Sequence, residues 1–144
     1  MTERKVGQII EGQEPLTAPA NTTVREAARI MKERNVGALM VVTDEKLVGV
    51  FTERDGLFRV LAGGLDSDTT RLSDVMTSNP QTIGPEAGFT TALQMMHDGR
   101  YRHLPVVEKG RLLGIVSVRD ALGPELEAFV YEMLHQEQVN DVLA

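Results

Sequence analysis

Two heptapeptides, Gly49-Val50-Phe51-Thr52-Glu53-Arg54-Asp55 and Gly114-Ile115-Val116-Ser117-Val118-Arg119-Asp120, share one pattern: a glycine, two apolar residues, a hydroxyl, and an aspartate three residues after it. The change from apolar to polar puts the hydroxyl where a strand gives way to a helix. A spacing of three then brings Asp55 to the side of Thr52, and Asp120 to the side of Ser117. Two chemistries fit. In the first, the helix start offers unpaired N–H groups and the positive end of its dipole to a phosphate beside the hydroxyl. The carboxylate then accepts hydrogen bonds from the vicinal hydroxyls of a ribose. In the second, hydroxyl and acid form a capping box and bond only the local main chain. Arg54 and Arg119 divide the same way, between phosphate recognition through a fixed fork of donors and a solvated charge at a helix start. The residues alone leave both readings open.

The elements that must position these motifs come in two copies. An offset of 65 aligns residues 15–57 with 80–122 without a gap, and 12 of the 43 pairs are identical, among them Leu39/Leu104, Gly49/Gly114 and Asp55/Asp120. Chance at ordinary composition gives roughly three, so the chain is an internal duplication. In each copy an i, i+3, i+4, i+7 apolar pattern (Val24, Ala27, Ala28, Met31; Phe89, Ala92, Leu93, Met96) predicts an amphipathic helix. Thr23 and Glu26 have the form of a capping box at the first helix start. Two short apolar strands follow, Leu39–Val42 and Leu47–Phe51, or Leu104–Val107 and Leu112–Val116, each pair joined by a polar turn short enough for a hairpin. A second helix is predicted from near Thr52 and from near Ser117. The expected organisation is a first unit over 1–64 with its lead-in, a connector over 65–71, a second unit over 72–123, and a helix and tail over 124–144. A unit of about 45 residues buries too little surface alone. The fold class is therefore α+β: two βαββα units packed sheet against sheet about a pseudo-twofold axis, with a ligand cleft between them.

Composition bounds the function. The 144 residues carry 15 Lys and Arg against 21 Asp and Glu, a net charge of −6, which argues against binding of nucleic acid polymers through phosphate neutralisation. No cysteine is present, which excludes disulfides, thiol catalysis and cysteine-bound metals. The longest apolar run, Ala38–Val42, is far short of a membrane span, and Met1-Thr2-Glu3-Arg4-Lys5 does not lead into a signal-peptide apolar region. The expected location is the cytoplasm, away from membranes. His97, His103 and His135 lack metal-site spacing. Asp66-Ser67-Asp68 lacks the glycine and closing glutamate of a calcium loop, and no phosphate-binding glycine loop or nucleophile elbow is present. No base–nucleophile pair stands out, so the chain is not expected to be an enzyme. In the C-terminal segment that opens at Pro124-Glu125, Leu126, Phe129, Val130, Met133 and Leu134 share a face, and Glu125, Glu127, Glu132 and Glu137 are polar. That face suits packing on its own domain or a symmetry mate, or docking on a protein target.

The paired Gly-apolar-x-Thr/Ser-x-Arg-Asp ends, together with Arg102-His103-Leu104-Pro105-Val106-Val107, resemble tandem cystathionine β-synthase (CBS) domains, the pairs called Bateman modules. The resemblance covers roughly residues 6–122, with Val6-Gly7-Gln8-Ile9-Ile10 and Leu72-Ser73-Asp74-Val75-Met76 as the lead-in segments. It implies a regulatory module that binds an adenosine-containing ligand (AMP foremost, with ADP, ATP, NAD or S-adenosylmethionine in range) and assembles as a homodimer. By position it implies that Asp55 and Asp120 hold ribose in two clefts, with Thr52 and Ser117 by ribose or phosphate. Adenine would lie against Thr17-Ala18 and Thr82-Ile83, and against the backbone at Gly37-Ala38 and Arg102-His103. Pro105 withholds a strand N–H, which is tolerable at a strand start or edge. The copies are unequal: where the second has Arg100, Arg102, His103 and Pro105, the first has Asn35, Gly37, Ala38 and Met40. Arginines favour the Asp120 site as the stronger phosphate binder. A ligand-free dimerisation or scaffold module, acting through protein contacts, is the alternative.

Overall fold

The computed structural model describes residues 3–143, with side chains to residue 136; Met1, Thr2, Ala144 and the side chain of Glu137 lie outside the described residues. In chain order the elements are α1 (Val6–Ile9), β1 (Thr17–Ala18), α2 (Val24–Arg34), β2 (Ala38–Thr43), β3 (Lys46–Thr52) and α3 (Glu53–Asp55), which widens into a π-helical stretch at Gly56–Leu61. Then come α4 (Leu72–Val75), β4 (Thr77–Ser78), α5 (Phe89–Gly99), β5 (His103–Glu108), β6 (Arg111–Ser117), a 3-10 turn at Val118–Asp120, and α6 (Gly123–Leu143).

The duplication is visible in the register. Ala38 pairs with Thr52 at one end of the first hairpin and His103 with Ser117 in the second, and both hairpins shift register at the same place, between Val41 and Val42 and between Val106 and Val107. Each turn has two residues with positive φ, Asp44 and Glu45 in the first and Lys109 and Gly110 in the second, as tight hairpins demand. Side-chain alternation assigns the faces. Leu39 and Val41 turn to α2 and pack with Ala27 and Met31. Ala38, Met40 and Val50 turn the other way, against Leu112 and Ile115 of the second hairpin. The hairpins also join edge to edge at one residue pair, Lys46 with Arg111, giving a six-stranded sheet of order β1-β2-β3-β6-β5 with β4 on β3.

The copies differ where proline intervenes. In the first, the Met40 N–H donates to the Leu16 carbonyl at 2.9 Å and β1 runs parallel to β2. Pro105 occupies the matching position and has no N–H to give, so the corresponding pairing shrinks to a single bridge, Ile83 with Val106. Pro124 has a larger effect. The second unit has no helix continuing from Ser117 as in the first; a three-residue 3-10 turn ends at Asp120, and α6 begins at Gly123. A continuous helix would have placed Pro124 in its interior and left the Asp120 carbonyl without a donor, whereas a restart puts the proline in the first turn. Arg4 Nη2 donates to that carbonyl at 2.9 Å, and the same guanidinium pairs with both oxygens of Glu125.

The lead-in segments are exchanged. Val6 and Ile10 pack into the core of the second unit, with Phe89, Leu93, Leu104 and Val116. Leu72 and Val75 pack into the core of the first, with Val24, Leu39 and Phe51. Phe129 of α6 is buried in the second core and Met133 packs against it, while Leu126, Val130 and Leu134 remain exposed. Among the described residues no helix is long and apolar enough to cross a membrane.

Candidate functional site

Both hydroxyl-and-acid motifs sit at strand ends, and in both the acid folds back on the main chain. Asp55 Oδ2 accepts from the Thr52 N–H at 3.0 Å while Thr52 Oγ1 accepts from the Asp55 N–H at 3.3 Å. Asp120 Oδ2 accepts from the Ser117 N–H at 2.7 Å. The capping geometry is therefore realised twice. It uses one carboxylate oxygen in each case. The other oxygen of Asp55 lies 3.6 Å from Arg59 Nε, and the Asp55 side chain is only 12% exposed. Asp120 has no ion pair within the described residues, and its second oxygen is uncommitted.

The space beside these junctions is open. A cavity of about 880 Å³ lies between the two units. From the first unit, Met31, Phe51, Val60 and Leu61 form an apolar wall, and Lys32, Gly37 and Glu53 its polar border. The second unit contributes Arg102, His103, Ser117, Val118 and Arg119. The local reason is again the duplication: the Gly37 carbonyl accepts from the Glu53 N–H at 3.0 Å and the Arg102 carbonyl from the Val118 N–H at 3.3 Å, so each strand start is tied to the following strand's helix entrance. A methyl group at Gly37 would stand 3.1 Å from Glu53 Oε1, so the missing side chain keeps that carboxylate at the cavity edge. Burial pushes the His103 pKa below its ordinary value, with Glu53 acting against that shift and Arg119 and Arg102 adding to it. The shift favours the neutral imidazole, and the fixed positive charge of the second wall resides on its arginines.

Five of the residues singled out from sequence meet at this cavity: Gly37, Arg102, His103, Ser117 and Arg119. The others stand elsewhere. Thr17 and Ala18 pair with Met40 and Val41. Thr82 is half-buried, and Ile83 uses its N–H on Pro105 (3.0 Å) and its carbonyl on Val107 (2.9 Å), which leaves that main chain without a free edge. Ala38 and Pro105 are buried. Arg54 lies over the Phe58 ring, 5.2 Å from its centre, and Thr52, Asp55 and Asp120 cap. Sequence reasoning passed over Glu53 and Lys32. For Glu53 a signal existed: it stands inside the repeated heptapeptide where the other copy has Val118. His97 packs edge-on against Phe129 and His135 stacks on Tyr131. Among the described residues no group of three or more His, Cys, Asp or Glu is arranged to hold a metal.

Comparison with known proteins fits this arrangement. Residues 6–61 and 72–124 each match the family profile described as CBS domain. The mitochondrial CBS domain-containing protein CBSX3 of Arabidopsis thaliana is 36% identical over 129 residues, covering 86% of this chain and 60% of that protein. A CBS-domain protein of Burkholderia ambifaria, proposed to act in signal transduction, superposes with a TM-score of 0.76 at 31% identity, covering 81% of this chain and 89% of that one. A CBS domain protein of Pyrobaculum aerophilum, solved in complex with AMP, gives a TM-score of 0.79 at 26% identity, covering 88% and 98%. The chain spans between 19% and 60% of the length of the first curated relatives it matches.

Proposed function

Because the chain belongs to the CBS-domain family, with two matched copies, we propose that it is a regulatory module that binds an adenine nucleotide between its units and changes conformation or assembly in response. The observation that carries this reading is the cavity: an apolar wall on the first unit faces Arg102, Arg119 and Ser117 on the second. Its volume of about 880 Å³ lies within the several-hundred to roughly 1,000 Å³ range of small-ligand sites. In this reading the base lies on the apolar wall, and the arginines and the Ser117 junction take phosphate. Asp120 is not in the lining itself but caps the Ser117 junction, which is, and its free oxygen takes a ribose hydroxyl from there. AMP is the leading ligand, supported by the AMP held by the Pyrobaculum relative, with ADP, ATP, NAD and S-adenosylmethionine as the competing candidates. The module is read as a cytoplasmic binding protein without catalysis of its own, and a ligand acts on it through unequal affinities for two states.

The alternative is a scaffold with empty clefts, joined to a second copy or a protein target. Two observations favour it: both carboxylates already cap their own helices, and Leu57, Phe58, Leu61, Val130 and Leu134 are exposed. A thermal-shift panel of AMP, ADP, ATP, NAD and S-adenosylmethionine separates the two. At 100 times its Kd a ligand adds about 2.7 kcal/mol, or roughly 5–10 °C in a chain of this size. No shift with any of the five leaves the scaffold reading standing.

A further inference from the structure

Glu53 is the carboxylate of the cavity wall, and beyond its place in the first turn of α3 no cap or ion pair of the fold uses its charge. The cap at this junction is made by Thr52 and Asp55, Glu53 forms no ion pair within the described residues, and the matching residue of the second unit, Val118, lines the same cavity without any charge. Around it stand the fixed cations Lys32, Arg102 and Arg119, while burial favours the uncharged form of the His103 imidazole. Three cations against one carboxylate leave a net of two positive charges on the lining. That equals the charge of a nucleotide with one phosphate, dianionic at neutral pH. A diphosphate brings about three negative charges and a triphosphate about four. Volume does not make this distinction, because about 880 Å³ accommodates any of the three.

Resting on the nucleotide reading above, we propose that Glu53 is a specificity-determining residue that restricts the cavity to nucleoside monophosphates by repelling a second and third phosphate. The first phosphate is held on the second unit's wall by Arg102 and Arg119. Each further phosphate extends past Arg102 and Arg119 to the polar border of the first unit, where Glu53 lies. A full charge within about 8 Å at an effective dielectric of 20–40 changes affinity on the order of five- to thirtyfold, less at high salt.

Calorimetric titration of the wild type, E53Q and E53V with AMP, ADP and ATP at low salt tests this. E53Q keeps the shape and removes the charge, and E53V copies the second unit. The wild type is expected to bind AMP at least tenfold more tightly than ATP, and both variants to reduce that preference about tenfold, with the difference shrinking in 0.5 M salt. Glu53 is exposed, and matching thermal melts of the three proteins establish that the variants are folded. A wild type that binds nucleotides while its AMP-to-ATP ratio stays within twofold in both variants overturns the role of Glu53 and leaves the nucleotide reading intact. A wild type that binds none of the three overturns the nucleotide reading and the role of Glu53 together.

Discussion

The glycine that opens each heptapeptide faces a crossing lead-in, and this makes the exchange of lead-ins measurable. A methyl group built on Gly114 would stand 2.9 Å from Ile10 Cβ and 2.7 Å from Gln13 Oε1. Ile10 cannot move aside easily: its Cβ is fixed to a main chain that is bonded to Val6 and Gln13, and the residue is 6% exposed within the second core. Gln13 bonds the edge of β6 through both its amide groups, accepting from Ile115 N–H at 2.6 Å and donating to the Ile115 carbonyl at 3.0 Å. Gly114→Ala therefore overpacks the site, at about 1–3 kcal/mol, and disturbs a hydrogen bond worth about 1 kcal/mol. The restriction of the unfolded chain returns roughly 0.4–1 kcal/mol. The net expectation is a loss of about 2 kcal/mol. At Gly49 the near atoms are Sδ, Cγ and Cε of Met76. These belong to a flexible, half-buried side chain that can swing away, so Gly49→Ala is expected to cost less than about 1 kcal/mol. Thermal denaturation followed by circular dichroism should place the melting point of Gly114→Ala roughly 4–8 °C below that of the wild type and at least about 2–4 °C below that of Gly49→Ala. Equal melting points, or the reverse order, refute the claim that the N-terminal lead-in is held rigidly on the second unit.

Asp120→Ala is expected to weaken AMP binding about ten- to a hundredfold, and more than Asp55→Ala, whose second oxygen already faces Arg59; calorimetry on both variants, with melts to correct for the lost caps, gives the order. His103 adds a pH dependence. Burial holds its folded pKa below 6.5, so below pH 6.5 the unfolded chain binds more protons than the folded one. The His103 contribution is thus complete above that pH and is lost as pH falls, by at most about 1.4 kcal/mol per pH unit. Urea melts at pH 5.5 and 7 should show a loss that His103→Asn removes. Arg4→Ala should lower stability by about 1 kcal/mol, a modest figure because the pair is partly exposed. The hydrogen bond from Arg4 depresses the Glu125 pKa, so the pair's contribution is complete above about pH 4.5 and is lost as pH falls through the lowered value; the difference between wild type and variant should shrink there to what the Arg4 bond to the Asp120 carbonyl contributes.

The parts of the fold legible in the sequence are those set by local periodicity. Val24, Ala27 and Met31 form the buried face of α2, Leu39 and Val41 point to it, and the 65-residue offset is preserved in pairing register and bulge. What periodicity does not encode is which core an apolar segment enters. Val6 and Ile10 read as the start of the first unit, and only tertiary packing carries them to the second. The break at Pro124 follows from proline chemistry that local pattern alone had overridden in favour of a helix from Ser117.

The heptapeptide separates these levels most clearly. Its repeated glycine gives room for a lead-in, and its repeated aspartate bonds the chain's own amide in both copies. Repetition across copies thus follows from architecture that both halves need. The cavity, by contrast, takes its asymmetry from positions where the copies diverge: Gly37 against Arg102, Glu53 against Val118, Lys32 against His97. On the nucleotide reading proposed above, a duplicated fold with one apolar, glycine-bordered wall and one arginine wall would give the ligand a single orientation, base to the first unit and phosphate to the second. Two identical walls would have offered two equivalent orientations. On that reading, the asymmetry that the alignment of the copies treats as mismatch lets one bound molecule touch the two units through different groups, and any rearrangement of the units that alters one set of contacts then changes its affinity, which is the condition for shifting an equilibrium between states.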